Sequence, residues 1–322
     1  MKKYCILDSY VYPDSDFHQE KEILEAAGYT AEIGNCHTAE EIMEFAKDAE
    51  VIGVVYLPIT EEILGSLPNL KAVVRYGVGY DCVDVETCTR HQVFCCNQPD
   101  YCLEDVASLT LAMLLDLTRK ITFFDRSCRR GEWNVAYGYP SHRLSSLTMG
   151  LIGFGNIART VYSMIRPLGI QMIAYDPFLP EDCFARMGCE RVTLDELYAR
   201  ADVISVHVPY RKATHHLIDD AAIAKMKDGV MLINTARGPI ISQDALIKGC
   251  KSGRITAAAL DVVEQEPIHD TAHPLYQCDN IIVTPHVAYN TVEAADMLHR
   301  KAAETAVCVM NGEIPYNRVN LR

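Results

Sequence analysis

The sequence predicts an α/β protein of two doubly wound parallel-sheet domains, Rossmann-like or flavodoxin-like in type. Three observations point there. Short apolar runs alternate with helical patterns over residues 1–97. Residues 147–177 then read as a strand, the turn Gly153-Phe154-Gly155-Asn156-Ile157-Ala158, a helix and a second strand closed by Asp176. Beyond Asp176 the alternation resumes and runs to a last apolar run at 281–284.

In chain order, strands are expected at 4–7, 30–33, 51–56, 70–75 and 93–96, separated by helices at 20–27, 39–47 and 60–67. Thr60 is the expected cap of the last helix, with Glu61 and Glu62 in its first turn. Asn97-Gln98-Pro99 reads as a linker, and 105–120 as a long apolar helix leading into the second domain. Residues 129–143, which carry the single Trp, read as a polar irregular arm suited to a partner subunit. In the second half, strands are expected at 147–152, 170–175, 203–208, 230–234, 257–260 and 281–284, a six-stranded sheet. Its helices are expected from Ile157 to a stop at Gly169, then at 193–199, 219–226 and 242–250. A closing helix at 291–311 is expected to pack back on the first domain. The domains are therefore 1–98 with 290–322, and 99–289.

The turn after the strand at 147–152 suits a dinucleotide. Gly153 permits a tight turn, Gly155 lets backbone approach a pyrophosphate, and Ala158 lets helix and strand pack closely. The helix N-terminus offers free N–H groups and partial positive charge. Asp176 would accept hydrogen bonds from ribose hydroxyls and repel a 2′-phosphate, which favours NAD over NADP. The alternative is a tight βα turn with no ligand.

Composition limits the partners. A chain of 322 residues, 49% hydrophobic, suits about two globular domains. A net charge of −13 without a Lys/Arg cluster argues against a nucleic-acid partner. No apolar run reaches membrane-spanning length and no signal peptide is visible, so a cytoplasmic location is expected. The 13 cysteines are scattered, odd in number and never spaced C-x-x-C. They read as small buried hydrophobes in a reducing compartment, with neither a disulfide frame nor a metal site expected.

Ligands in such sheets sit beyond the carboxyl ends of the strands. His207, Arg237, Asp261 and His286 each follow a predicted strand end, and Glu266 lies close behind Asp261. Arg can hold a carboxylate bidentately and polarise the neighbouring carbonyl. His can deliver a proton as the carbonyl becomes an alcohol, and a Glu bonded to that His keeps it protonated. Each residue alone also fits a structural role. Their clustering downstream of a dinucleotide turn favours catalysis. In the first domain, Arg75-Tyr76-Gly77-Val78-Gly79 is either an anion cradle or an ordinary glycine turn.

At this point the chain resembles the D-isomer-specific 2-hydroxyacid dehydrogenases. Asn234-Thr235-Ala236-Arg237-Gly238, Ala259-Leu260-Asp261-Val262 with Glu266-Pro267, and Thr284-Pro285-His286-Val287-Ala288 look like that family's signature segments. Tyr76-Gly77-Val78-Gly79-Tyr80-Asp81, the Gly153 turn and Tyr175-Asp176-Pro177 match as well. The resemblance implies a cleft between the domains, closure on binding and a homodimer formed through the cofactor domain. It implies Arg237 and His286 as catalytic residues, with Glu266 supporting His286. It implies NAD contacts from Gly153, Gly155, Asn156, Ile157, Asp176, His207, Val208, Pro209, Thr214, Thr235, Ala236, Asp261 and His286. It implies a substrate pocket from Tyr56, Arg75, Tyr76, Val78, Gly79, Arg237 and Tyr289. Several stretches, among them His215-His216-Leu217-Ile218-Asp219, look closest to the C-terminal-binding-protein branch. Ser108, Ala158 and Tyr289 depart from common family residues. The expected activity is NAD-dependent interconversion of a 2-oxo acid and a D-2-hydroxy acid. The alternatives are an NAD(H)-sensing binding protein and a dehydrogenase of another small anion such as phosphite.

Overall fold

The computed structural model describes residues 2–12, 15, 17–136 and 138–321. The chain divides into two compact units, Met1–Cys102 with Thr291–Arg322, and Leu103–Asn290.

The first unit holds strands β1 (Lys3–Ile6), β2 (Thr30–Ile33), β3 (Val51–Val54), β4 (Ala72–Arg75) and β5 (Phe94–Cys96). All pair in parallel, in the order β2-β1-β3-β4-β5. Helices α1 (His18–Ala26), α2 (Ala39–Phe45), α3 (Glu61–Ser66) and α4 (Val85–Arg90) connect them. β3 is buried along its whole length, as an apolar run covered on both faces must be. It stops at Val54 because the next residues turn aside to a buried acid. Asp8, fully buried beyond β1, accepts the N–H groups of Val55 at 2.9 Å, Tyr56 at 2.7 Å and Leu57 at 3.2 Å.

Three expectations change here. α4 was not anticipated; it starts where the Asp84 side chain accepts the Thr87 N–H at 2.9 Å. Thr60 precedes α3 but its side chain caps nothing. Asn97 and Gln98 are not a solvated linker. Both are buried, and the Asn317 side chain donates to the Asn97 carbonyl at 2.6 Å. Asn320 accepts the Cys95 N–H at 2.8 Å, so the C-terminal tail clamps β5.

A buried polar chain crosses this unit. The Tyr4 hydroxyl donates to Tyr76 at 3.0 Å, Tyr76 donates to Glu20 at 3.0 Å, and Glu20 lies 2.6 Å from His299 Nδ1. Burial raises both tyrosine pKa values well above 10, so both remain hydroxyl donors.

The second unit holds β6 (Thr148–Ile152), β7 (Gln171–Tyr175), β8 (Glu190–Arg191), β9 (Val203–Val206), β10 (Val230–Asn234), β11 (Ile255–Leu260) and β12 (Ile281–Val283). They form one parallel sheet in the order β12-β11-β10-β9-β6-β7-β8. The seventh strand is β8, a two-residue exposed edge too short and polar to register as an apolar run. The order reverses between β6 and β9, which opens a crevice beyond their carboxyl ends. Helices α5 (Leu103–Arg119), α6 (Ile121–Arg129), α7 (Asn156–Ile165), α8 (Glu181–Met187), α9 (Leu194–Arg200), α10 (Asp220–Lys225) and α11 (Gln243–Ser252) complete the unit. Apolar clusters cover both sheet faces. α6 and α8 were not anticipated. α6 follows Lys120, which sits in the left-handed region at φ 57°, and Asp116 accepts the Thr122 N–H at its start. The arm beyond α6 is irregular and exposes Trp133; its Tyr137 lies outside the described residues.

α12 (Val292–Met310), capped by Thr291, belongs to the first unit and carries His299. The cysteines are free; nine are buried and Cys128 is exposed.

Gly53 in β3 lies beside the tyrosine chain. A Cβ there would stand 2.4 Å from the Tyr4 hydroxyl and 2.9 Å from the Tyr76 ring. Gly53→Ala should therefore destabilise the fold by about 1–3 kcal/mol, the usual cost of overpacking. Urea denaturation checks it; an unchanged midpoint would show that the chain yields freely.

Candidate active site

The site in the second unit is built at the carboxyl ends of β10, β11 and β12. Asn234, buried at the end of β10, accepts the Ala236 N–H at 3.0 Å and donates to the Arg237 carbonyl at 2.9 Å. These two bonds fold 235–237 into a turn. The Arg237 guanidinium donates to the Ala236 carbonyl at 2.8 Å. Gly238 follows because nothing larger fits: a Cβ would stand 1.9 Å from the Val263 carbonyl oxygen. The loop after β11 thus rests directly on the backbone beside Arg237.

Asp261, only 1% exposed, organises the turn after β12. It accepts the Thr284 hydroxyl at 2.5 Å and the N–H groups of Val287 at 3.0 Å and Ala288 at 2.9 Å. Its carbonyl accepts the His286 N–H at 2.8 Å. These bonds hold His286 at φ 55°, a left-handed conformation costly for a residue with a Cβ.

His286 Nδ1 lies 2.8 Å from Glu266 Oε2, and Glu266 Oε1 accepts the Val263 N–H at 2.8 Å. Burial alone would raise the Glu266 pKa. The His286 hydrogen bond and charge, the Val263 N–H and the Arg237 charge more than offset it, so it lies below the ordinary 4.5. An ionised Glu266 can only accept. Nδ1 therefore carries a hydrogen, and Nε2 is the ring nitrogen left to exchange a proton. The Tyr289 ring meets His286 edge-on, with centroids 6.4 Å apart.

The dinucleotide turn lies on the same sheet. Gly153 sits at φ 92°, and a Cβ there would stand 2.7 Å from the His207 carbonyl oxygen. Gly155 precedes α7, offers no side-chain cap, and has nothing within 4 Å of where a Cβ would be. The N–H groups of Asn156 and Ile157 thus start a helix with open space beside Gly155, which fits a pyrophosphate. Ala158 is buried, as the close helix–strand contact requires. Asp176 is held at the end of β7 by the N–H groups of Phe154 and Phe178, each at 3.0 Å. The His207 ring lies 2.9 Å from the Ser205 hydroxyl. Val208 and Pro209 follow, and Thr214 closes their loop by donating to the Pro209 carbonyl at 2.8 Å. The Thr235 hydroxyl pairs with Thr110 of α5 at 3.2 Å. The residues present therefore fit a dinucleotide.

In the first unit, β4 ends at Arg75. Its guanidinium lies over Gly77, where a Cβ would meet Nη1 at 1.5 Å, and stands 5.9 Å from the Tyr56 ring centroid. The Val78 carbonyl accepts from the Asn97 side chain at 2.7 Å, which pins the loop that continues to Gly79. Tyr76 is a correction. Its side chain is 1% exposed and committed to Tyr4 and Glu20, so only its backbone belongs to the loop.

Sequence reasoning missed what supports the site. Asn234 and Gly238 flank Arg237 in its motif with no local signal of their own role, and Asp8 is a lone acid after an apolar strand. Among the described residues, no group of three His, Cys, Asp or Glu is placed to hold a metal ion. Nor is any helix long and apolar enough to cross a membrane.

Comparisons with known proteins agree with this arrangement. Residues 111–288 match the family model described as D-isomer specific 2-hydroxyacid dehydrogenase, NAD binding domain. The chain is 38% identical over 302 residues to the D-3-phosphoglycerate dehydrogenase of Methanocaldococcus jannaschii, covering 93% of this chain and 57% of that one. It is 34% identical over 284 residues to the glyoxylate reductase of Korarchaeum cryptofilum, covering 87% and 85%. The chain thus spans only about half the length of the curated phosphoglycerate dehydrogenases it matches. Among solved structures, the D-lactate dehydrogenase of Aquifex aeolicus, complexed with NAD and lactic acid, superposes with a TM-score of 0.86 at 30% identity, covering 99% of both chains.

Burial lowers the His207 pKa from 6.5 to about 4. Between those values the unfolded chain binds the proton and the folded chain does not. The contribution is therefore complete above pH 6.5 and lost as the pH falls toward 4. His207→Gln should flatten the stability profile across that window. Urea melts at stepped pH check this; an unchanged acid slope would show that His207 does not contribute to it.

Proposed function

The chain belongs to the D-isomer-specific 2-hydroxyacid dehydrogenase family, and from that premise we propose that it is an NAD-dependent enzyme interconverting a 2-oxo acid and a D-2-hydroxy acid. The observation that carries this is the 2.8 Å His286–Glu266 pair on a loop seated against Arg237-Gly238.

In the reductive direction, Arg237 binds the substrate carboxylate and polarises the carbonyl oxygen through a second N–H. His286 gives its Nε2 proton to that oxygen as the alcohol forms. Glu266 fixes the ring and favours its protonated state. A bound nicotinamide supplies the hydride taken up at substrate C2. Asp261 acts by position, because its bonds to 284–288 aim His286; contact with the cofactor is a second role for it. Oxidation runs the same proton path backwards, with His286 accepting.

Residues 99–289 form the cofactor domain in this reading. Gly153, Gly155, Asn156 and Ile157 take the pyrophosphate, and Asp176 takes the ribose. His207-Val208-Pro209, Thr214 and Thr235-Ala236 flank the rest. Residues 1–98 with 290–322 form the substrate domain in this reading, with Arg75, Tyr56 and the Val78-Gly79 backbone as its substrate-binding groups. Arg75 suits a substrate with a second anionic group. We further propose a cytoplasmic homodimer joined through the cofactor domain. A sensor of the C-terminal-binding-protein type is the rival, and the pre-formed proton donor favours catalysis over it.

NADH oxidation with 2-oxo acids of graded size and charge tests the reading. A substrate-dependent rate should fall by about 10²–10⁴-fold in His286→Ala, the usual worth of a positioned acid. Saturable NADH binding without turnover of any acid would sink the reading, and turnover of phosphite would replace the substrate class. Asp176→Ala should narrow the preference for NADH over NADPH by about tenfold or more, since about 1.4 kcal/mol of lost repulsion suffices. Paired kcat/KM values decide that, and an unchanged ratio would remove Asp176 from cofactor selection.

A further inference from the structure

One close side-chain pair outside the reacting groups ties the loop that carries Glu266 to two other segments. Glu264 Oε1 lies 2.8 Å from His216 Nε2 and also accepts the Gln243 N–H at 2.8 Å. Gln243 is the first residue of α11, so its N–H has no partner within the helix. His216 is anchored in turn. Its N–H donates to the Pro239 carbonyl at 2.9 Å, and the Ile218 N–H donates to Ile240 at 3.1 Å. Residues 216–218 therefore run along the segment that begins at Arg237-Gly238.

Glu264 is the neighbour of Val263. That residue gives its N–H to Glu266, and its carbonyl is the one seated over Gly238. We propose that the His216–Glu264 pair is a positioning latch: it holds 263–266 in the one arrangement in which Glu266 is bonded both to Val263 and to His286. The inference rests on the dehydrogenase reading of this site and adds two residues to it.

The latch works through geometry more than through energy. The side chains of His216 and Glu264 are 38% and 28% exposed, and a polar pair so wetted is worth little by itself. One oxygen holding donors from two separate segments nevertheless fixes the loop in two directions. The groups facing His216 are Glu264 and the stacked ring of His215, centroids 3.9 Å apart; the Tyr210 hydroxyl lies 3.4 Å from His215. Without the latch, the Val263 carbonyl still packs on Gly238 but the loop can pivot about that contact. Small misplacements at a reacting centre are costly, reaching about 10²-fold per ångström.

The test compares Glu264→Ala and Glu264→Gln with the parent enzyme, using the 2-oxo acid the parent reduces best. Glu264→Ala should lower kcat by about tenfold, within that geometric range, while the KM for NADH holds. The alkaline limb of its reductive kcat profile should move to lower pH, because a loosened Glu266 supports the protonated ring less well. The His286 ring resonance, assigned with His286→Gln and titrated by NMR, should shift its midpoint the same way. Glu264→Gln keeps an acceptor for both donors and should restore most of the rate. Should Glu264→Ala fail to fold, His216→Ala, which removes the more exposed partner, carries the same expectations. An unchanged rate, limb and midpoint would overturn the latch. So would a loss of rate with limb and midpoint fixed and no rescue by Gln. If the parent reduces no 2-oxo acid, the dehydrogenase reading falls, and the NMR midpoint still decides whether Glu264 positions the pair.

Discussion

The contact on which the site depends is between two backbones. The Val263 carbonyl lies where a Cβ of residue 238 would be, 1.9 Å from it, so only glycine permits the approach. Arg237 stands on one side of this contact, and Glu266 is bonded to the N–H on the other. The cation and the acid of the site are thus set by one steric fit between the ends of β10 and β11. Side-chain packing could give the same proximity, but less stiffly, since rotamers can hop where two backbones in contact cannot.

Buried carboxylates do comparable work in both units. Asp8 and Asp261 each follow the last residues of an apolar strand, and each accepts N–H groups from the turn after a neighbouring strand. An uncompensated buried carboxylate would be severely destabilising. Several converging donors offset that cost and make the turn's conformation the only one that satisfies the charge. Asp8 shapes the turn carrying Tyr56, and Asp261 shapes the turn carrying His286. The φ of 55° at His286 shows the strength of that hold, because nothing in the local sequence favours it.

Much of this was legible in the sequence, for a physical reason. Parallel strands buried on both faces must be apolar throughout, so 230–234 is found to the residue. The dinucleotide turn is legible because Gly153 and Gly155 answer different demands, one a clash with His207 and the other a need for open space. What escaped was structure whose signal lies far away in the chain. β8 is two charged residues with no pattern of their own. Tyr76 looked like a pocket residue because its burial depends on Glu20 and Tyr4, which no local window contains. Asn97 and Gln98 looked like a linker because the tail that covers them lies more than two hundred residues later.

The remaining tension is electrostatic. A chain of net charge −13 is read here as binding an acid and a dinucleotide, both anionic. Range resolves it. At physiological ionic strength exposed charges are screened over about 8 Å, so the acidic surface is felt weakly inside a site. Groups within hydrogen-bond reach dominate there: the Arg237 guanidinium, the open N-terminus of α7 and the His286 ring. Glu266 and Asp176 are two negative groups of this site, and neither is free to repel a substrate indiscriminately. Glu266 is turned to His286 and the Val263 N–H, while Asp176 is held by two backbone N–H groups. The acids of the site are committed to orienting cations and turns, which leaves the local field to the cations.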